Sequence, residues 1–163
     1  MEDMPRFHLD LFGDGSERFK RYLHKVIHEQ GIEEMVTFHG FVPWERLVQA
    51  MHQSDIFVFS SIWDEPFAIT PLQAQGCGLP VVATRAGGTA EGFVDGETAL
   101  LIPPNDARAM ADAIARLVCD ESLRQRLRQN GIREAEERWS FEAYMERLLD
   151  FYQRIAERWR KGQ

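Results

Sequence analysis

The sequence predicts an α/β domain with a doubly wound, mostly parallel, Rossmann-like sheet of about five strands and a C-terminal helical tail. Short runs of β-branched and aromatic residues alternate with segments of helical periodicity over the first two thirds of the chain. Glycine or proline marks most of the junctions between these segments. From Asn105 onward only helical periodicity is found. Strands that alternate with helices imply parallel pairing through right-handed crossovers.

Five strands are predicted from short hydrophobic runs. They cover residues 6–12, 35–39, 56–59, 80–84 and 99–102. The run 56–59 is the most apolar, because each of its residues is β-branched or aromatic. It is too short for a core helix, so we interpret it as a buried strand.

Capping residues and helix breakers mark the helices between the strands. Ser16 is a suitable N-cap for a helix that ends at Gly31. Pro43 opens the next helix. Thr70 and Pro71 are expected at the N-cap and first position of a short helix of about two turns, which Gly76 and Gly78 end.

The last third of the chain predicts three further helices. They cover 106–118 and 122–138, with a bend or break at Gly131, and a final helix that Ser140 caps. We therefore divide the chain into a Rossmann-like, nucleotide-binding type of domain at 1–120 and C-terminal helices at 121–163 that pack on it.

The composition excludes several classes of protein. The 163 residues carry a net charge of -7, which argues against nucleic acid as the main ligand. No apolar run is long enough for a transmembrane helix, and the acidic N-terminus lacks the core of a signal peptide. We therefore expect a cytoplasmic protein. The two cysteines and five histidines follow no metal-binding pattern, so no metal cofactor is expected.

The acidic loop after the strand at 56–59 is the main candidate site. Ligands of open α/β sheets bind at the carboxyl ends of strands, where Glu65 would accept hydrogen bonds from hydroxyl groups. It could also be an ordinary solvated carboxylate. The backbone N–H groups of Phe67, Ala68 and Ile69 precede a helix start and could face an anion, although their side chains could simply cover the core.

Two glycine-rich turns are weaker candidates. Gly87 and Gly88 either form a plain turn or let the backbone approach a phosphate. The motif Gly13-Asp14-Gly15 follows the first strand, but Arg18 stands where the dinucleotide fingerprint requires its third glycine. Binding of NAD is therefore disfavoured.

Taken together, these pieces resemble the donor-binding domain of retaining glycosyltransferases of group 1 (family 4), which have the two-domain GT-B fold. The resemblance covers about residues 6–120, and many ordered pieces match at the proper spacing. The matching pieces are 12–15, 36–42, 54–61, 65–84, 87–91 and Asp95-Gly96.

The resemblance implies transfer of a sugar from a UDP- or GDP-linked donor to an acceptor, with retention at the anomeric carbon. Glu65 would be the catalytic residue that bonds sugar hydroxyls, Gln73 would hold the ribose, and residues 40–42 would lie by the base. No metal is expected. The donor-binding residues implied are Gly13, Gly15, Gly40, Phe41, Val42, Phe67, Ala68, Ile69, Gln73, Gly87 and Gly88.

The chain departs from the family pattern at three positions and in three absences. Gln73 replaces a second glutamate, and Ala68 and Ala99 replace glycines. The family's first strand, its basic diphosphate loop and its N-terminal acceptor-binding domain have no counterpart here. The lost strand would lie between those at 6–12 and 56–59. We therefore expect these two strands to pair directly, or another chain to fill the gap.

Three functions remain open. The chain is the donor-binding half of a glycosyltransferase, inactive alone and completed by an acceptor domain or partner chain that could place it at a membrane surface. Alternatively, it is a non-catalytic, degenerate subunit that pairs through sheet edges, also with a second copy, or through its helical tail. The third possibility is a nucleotide-sugar epimerase, which would need a second cleft carboxylate besides Glu65, and only Asp64 is evident.

Overall fold

The computed structural model describes residues 7–162. Arg6, the first residue of the first predicted strand, lies outside this range. The chain divides into two compact units, one up to Gln49 and one from Ala50 onward. This boundary falls inside a helix, Trp44–Gln53 (α2), and differs from the division at residue 120 that the sequence suggested.

The first unit contains a two-stranded parallel sheet. Strand β1 (Leu9–Phe12) pairs with β2 (Val36–Gly40), and helix α1 (Glu17–Gln30) connects them. Both predicted ends of α1 are confirmed. The Ser16 side chain accepts a hydrogen bond from the N–H of Phe19, and Gly31 ends the helix with a left-handed φ of 63°.

The second unit contains a three-stranded parallel sheet. Its order is β3 (Phe57–Phe59), β4 (Val81–Thr84) and β5 (Leu100–Ile102). All residues of β4 and β5 are buried. The remaining elements are α3 (Ile69–Gly76), a 3-10 helix (Gly87–Gly92), α4 (Ala107–Cys119), α5 (Glu121–Glu134), a π-helical segment (Ala135–Trp139) and α6 (Phe141–Lys161).

Five parallel strands and the α/β class confirm the predicted fold, but the strands form two sheets. The expected direct pairing of the first and third strands is wrong: within residues 7–162, β1 pairs only with β2, and β3 pairs only with β4. Strands β1 and β3 therefore each have one edge paired with a neighbouring strand and one edge that is unpaired within residues 7–162. The alternative, that another chain fills the gap, stays a prediction.

The main core of the second unit lies between its sheet and helices α4 and α5. Leu117 and Leu127 are fully buried there, next to Val82 of the central strand. Burial of a leucine side chain contributes roughly 1.5–3 kcal/mol. The other members of this cluster are Leu100, Ile102, Ala113 and Leu123.

Helix α3 begins two residues earlier than the sequence suggested. Ala68 is its N-cap, with extended backbone angles and no side-chain cap, so Thr70 is not the N-cap. Pro71 is the third helical residue. Proline is compatible with any position in the first turn, because the N–H groups there have no partner within the helix. The presence of Pro71 therefore does not determine at which residue the helix begins.

Helix α5 continues past Gly131, where a bend or break was expected. A Cβ atom at Gly131 would lie 2.7 Å from Cγ of Gln75, which is fully buried in α3. Glycine therefore serves the close packing of α3 against α5. The helical path changes only at the π segment, after which Ser140 caps α6, as predicted, by accepting from the N–H of Ala143.

Helix α6 keeps its apolar face exposed. None of its residues is buried. Within the described residues, no helix is both long and apolar enough to cross a membrane. Its most exposed apolar side chains are Phe141, Tyr144, Leu149, Phe151, Tyr152 and Trp159.

The packing predicts that truncation of a buried leucine lowers the free energy of unfolding much more than truncation of an exposed one. Leu127→Ala should lower the free energy of unfolding by about 2–5 kcal/mol, because it leaves a cavity in the core. Leu149→Ala is the matched control, since this side chain is 55% exposed on α6, and its effect should stay within about 0.5 kcal/mol. Urea unfolding followed by circular dichroism measures both. Equal destabilisation would contradict the assigned core.

Candidate functional site

The loop between β3 and α3 presents a carboxylate at the carboxyl end of the three-stranded sheet. Residues 60–68 form this loop, and Glu65 lies half-buried within it. The position is the one expected for ligand sites of open α/β sheets. The structure thus places Glu65 where the sequence predicted it.

The two oxygens of the Glu65 carboxylate have different surroundings. Oε1 accepts two hydrogen bonds, from the Ser61 hydroxyl at 2.9 Å and from Nε1 of Trp63 at 2.6 Å. Within residues 7–162, Oε2 receives no hydrogen bond. The carboxylate is therefore held through one oxygen, and the other oxygen can accept from a ligand.

A buried threonine anchors the start of the loop. Thr84, at the end of β4, is 2% exposed, and its hydroxyl donates to the backbone carbonyl of Ser61 at 2.6 Å. The residue that bonds Glu65 is therefore itself tied to the central strand of the sheet.

Gly87 and Gly88 pack directly against the backbone of the Glu65 loop. The N–H of Gly88 donates to the carbonyl of Glu65 at 2.7 Å. A Cβ atom would lie 2.3 Å from this oxygen at Gly87, and 2.1 Å from the Pro66 carbonyl oxygen at Gly88. Gly87 also has a left-handed φ of 53°. The missing side chains thus make room for the protein's own loop, and a contact with phosphate stays a prediction.

The first turn of α3 lies directly after this loop. Ala68 cannot cap the helix with its side chain, so the first-turn N–H groups have no side-chain acceptor. The helix dipole adds a partial positive charge of about half an elementary charge. Phe67 packs against Trp139 with ring centroids 5.3 Å apart, which supports the alternative that it covers apolar surface. Ile69 is exposed and Gln73 is half-buried.

The first unit brings together the other predicted residues. The N–H of Gly13 donates to the carbonyl of Gly40 at 2.8 Å, which joins the turns that follow β1 and β2. Both glycines have a positive φ, of 106° and 65°. Phe41 is 87% exposed and Val42 is half-buried. Gly15 directly precedes Ser16, the N-cap of α1.

The negative charge of Asp14, in the Gly13–Gly15 turn, is compensated by a neighbouring lysine. The carboxylate of Asp14 contacts Nζ of Lys20 at 2.6 Å and accepts from the N–H of Gly15 at 2.8 Å. The hydrogen bond from Lys20 is the main cause that lowers the pKa of Asp14, and the same bond raises the pKa of Lys20. Both groups therefore stay charged at neutral pH, and Lys20 already has an anionic partner.

Sequence reasoning missed the groups that hold Glu65. The sequence indicates only that Trp63, two residues before Glu65, could line the site, and it predicts no role for Ser61 or Thr84. Donor side chains four and two residues before the carboxylate are the signal that could have indicated such contacts. The contact of Phe67 with Trp139 joins residues far apart in sequence and carries no local signal.

Comparison with known proteins gives a consistent result. Residues 2–134 match the sequence profile of the family described as glycosyl transferases group 1. A D-inositol 3-phosphate glycosyltransferase from Corynebacterium urealyticum is 34% identical over 143 residues, which are 88% of this chain and 33% of that protein. The chain thus spans about a third of the length of the curated relatives it matches.

Two solved structures share this fold. Anabaena Alr3699/HepE in complex with UDP-glucose has a TM-score of 0.80 and 28% identity, covering 97% of this chain and 42% of that one. The C-terminal domain of a group 1 family protein (LpcC) from Francisella tularensis has a TM-score of 0.75 and 27% identity. That match covers 82% of this chain and 70% of the other.

The glycine packing predicts a specific cost. Gly88→Ala should lower the free energy of unfolding by about 1–3 kcal/mol, because the new methyl group collides with the Pro66 carbonyl. It should also increase amide hydrogen exchange at residue 88.

The matched control for this change is Gly76→Ala. There, the new Cβ would lie an ordinary 3.7 Å from Ala135, and alanine favours the helix by up to about 1 kcal/mol. An equally stable Gly88→Ala variant would show that the close contact does not exist.

Proposed function

Because this chain belongs to the group 1 glycosyltransferases, we propose that it is the donor-binding domain of an enzyme that transfers a sugar from a nucleotide-sugar with retention. The observation that carries this proposal is the Glu65 carboxylate, held through Oε1 at the carboxyl end of a parallel sheet with Oε2 available. The HepE structure, which is similar over 97% of this chain, is a complex with UDP-glucose and supports this donor class.

The donor sugar and its diphosphate are assigned to the second unit. Oε2 of Glu65 accepts hydrogen bonds from sugar hydroxyls. The uncapped first turn of α3 faces the diphosphate through the N–H groups of residues 67–69 and its partial positive charge. No metal is part of this proposal. The leaving diphosphate is stabilised by fixed dipoles, so the catalytic effect is mainly electrostatic.

The nucleoside is assigned by family resemblance. Gln73 holds the ribose through its side-chain amide, and Gly40, Phe41 and Val42 lie by the base. Gly13 and Gly15 are assigned to donor binding by the same resemblance. The exposure of Phe41, at 87%, supports an assignment as a ligand contact, because an exposed aromatic ring can cover a base.

The acceptor is assigned to another domain or to a partner chain. The matched residues make up about a third of a curated relative, and helix α6 exposes an apolar face that a second domain could cover. Catalysis therefore requires that domain, and the chain alone binds the donor without transferring the sugar. The cytoplasmic location expected from the sequence belongs to this same proposal.

A second candidate function is a non-catalytic subunit. Gln73 favours it, because an amide forms weaker hydrogen bonds to hydroxyls than a carboxylate does. Such a subunit would bind no nucleotide-sugar and would instead associate through its open strand edges or through α6. Donor binding therefore separates the two candidates.

The proposal predicts a selective effect at Glu65. Glu65→Ala should weaken binding of UDP-glucose about 10- to 100-fold, since a carboxylate that bonds hydroxyls contributes about 1.5–3 kcal/mol. Binding of UDP should change by less than about twofold, because UDP lacks the sugar. Isothermal titration calorimetry of the full chain with both ligands, and with a GDP-sugar, measures this difference.

Asp64→Ala is the matched control, because it removes an exposed carboxylate from the same loop. Its binding should equal that of the wild type; an equal loss at Asp64 would point to general electrostatics or to epimerase chemistry. No heat with any nucleotide, together with no effect of Glu65→Ala, would favour the non-catalytic subunit.

A separate prediction concerns the ribose. Gln73→Glu restores a charge-assisted acceptor and should tighten binding of both UDP and UDP-glucose about 5- to 30-fold, which corresponds to about 1–2 kcal/mol. Gln153→Glu adds the same charge on α6 and should leave both affinities unchanged. Tighter binding of UDP-glucose alone would place residue 73 at the sugar and contradict the ribose assignment.

A further inference from the structure

The Glu65 carboxylate is held asymmetrically by its own loop. Both protein donors, the hydroxyl of Ser61 and the indole N–H of Trp63, bond the same oxygen, Oε1. A carboxylate has about four lone-pair sites on two oxygens, so the two donors could have bonded one oxygen each. The observed arrangement instead concentrates them on one oxygen.

The two donors differ in how firmly they are fixed. Ser61 is half-buried and its carbonyl is bonded by the buried Thr84, so its position follows the sheet. Trp63 is 61% exposed, and its bond to Glu65 is the one side-chain hydrogen bond of this indole within residues 7–162. An exposed tryptophan whose N–H is directed at the site carboxylate is not explained by core packing.

We propose that Trp63 and Ser61 are positioning residues for the donor sugar: they hold Oε1 of Glu65 so that Oε2 is aimed at the sugar hydroxyls. This inference rests on the proposed function and deepens it. Neither residue touches the sugar in this arrangement. Both act through the orientation of one carboxylate.

The physical basis is pre-organisation. A glutamate side chain has three rotatable bonds, and ordering such a side chain on binding costs about 0.5–1.5 kcal/mol. Two hydrogen bonds in the free protein fix these torsions before the ligand arrives. The bonds are charge-assisted, and they use the oxygen that the sugar does not need.

A direct contact of Trp63 with the sugar is the competing explanation. An exposed indole face can stack on a sugar ring, and such a contact would not depend on Glu65. The two explanations predict different results in a double-mutant cycle, because a residue that acts through Glu65 has no effect once Glu65 is removed.

The experiment is calorimetric titration of the full chain with UDP-glucose and with UDP. Trp63→Phe and Ser61→Ala should each weaken binding of UDP-glucose about 3- to 10-fold, the range for one hydrogen bond at a partly exposed site, and leave UDP unchanged. In the Glu65→Ala background, neither change should weaken UDP-glucose further. Ser61→Thr keeps the hydroxyl and should restore the wild-type affinity.

Trp159→Phe is the matched control, since it replaces an exposed indole on α6, outside the loop. Equal weakening by Trp63→Phe with and without Glu65 would overturn the inference in favour of direct stacking. No effect of either variant in the wild-type background would also overturn it. Absence of any UDP-glucose binding by the wild type would instead defeat the proposed function itself, and this inference with it.

A ligand-free measurement tests the hydrogen bond directly. In a proton–nitrogen NMR spectrum, the indole signal that disappears in Trp63→Phe should lie downfield, as expected for an N–H bonded to a carboxylate, and should shift upfield in Glu65→Ala. The Trp159 signal should not move. If the chemical shift of the Trp63 indole signal is the same in Glu65→Ala as in the wild type, the proposed contact is overturned even if the sugar binds.

Discussion

The structure of the site depends on the close approach of two backbone segments, Gly87–Gly88 and Glu65–Pro66. Strands β3 and β4 are parallel neighbours, so the loops that follow them both leave the sheet at its carboxyl end. The hydrogen bond from Gly88 to the Glu65 carbonyl joins these loops, and the space that two Cβ atoms would need is filled by the carbonyl oxygens of residues 65 and 66. Only glycine permits this contact.

This contact is one of several that fix the position of Glu65, from the sheet to its side chain. The sheet places both loops, the glycine pair fixes the backbone of Glu65, and Thr84 fixes the backbone of Ser61. With both ends of this segment held, a serine and a tryptophan within the loop suffice to orient the carboxylate. The same residue is thus held twice, through its carbonyl by a neighbouring loop and through its side chain by its own loop.

Much of this could be predicted from the sequence, because strand identity and helix caps are local properties. Hydrophobic runs predicted five strands, and Ser16, Gly31 and Ser140 marked helix ends that the structure confirms. The division into two sheets, the packing of Gly131 against Gln75 and the role of the glycine pair are contacts between distant segments. No local pattern encodes them. The start of α3 was misplaced because proline fits any position of a first helical turn.

Two cations next to predicted ligand contacts already have carboxylate partners. Arg85 directly follows β4, but its guanidinium contacts Asp95 at 2.6 Å, and the other oxygen of Asp95 accepts from the N–H of Leu101. Lys20, beside the Gly13–Gly15 turn, is likewise paired with Asp14. Exposed pairs of this kind contribute little stability, and a diphosphate would have to compete with carboxylates already in place.

The second unit has two groups to which this competition does not apply. The first turn of α3 has no side-chain cap and could receive an anion, and Oε2 of Glu65 could accept a hydrogen bond from a sugar. Under the proposed function, the selectivity of this domain for a donor sugar would therefore depend on the orientation of one carboxylate.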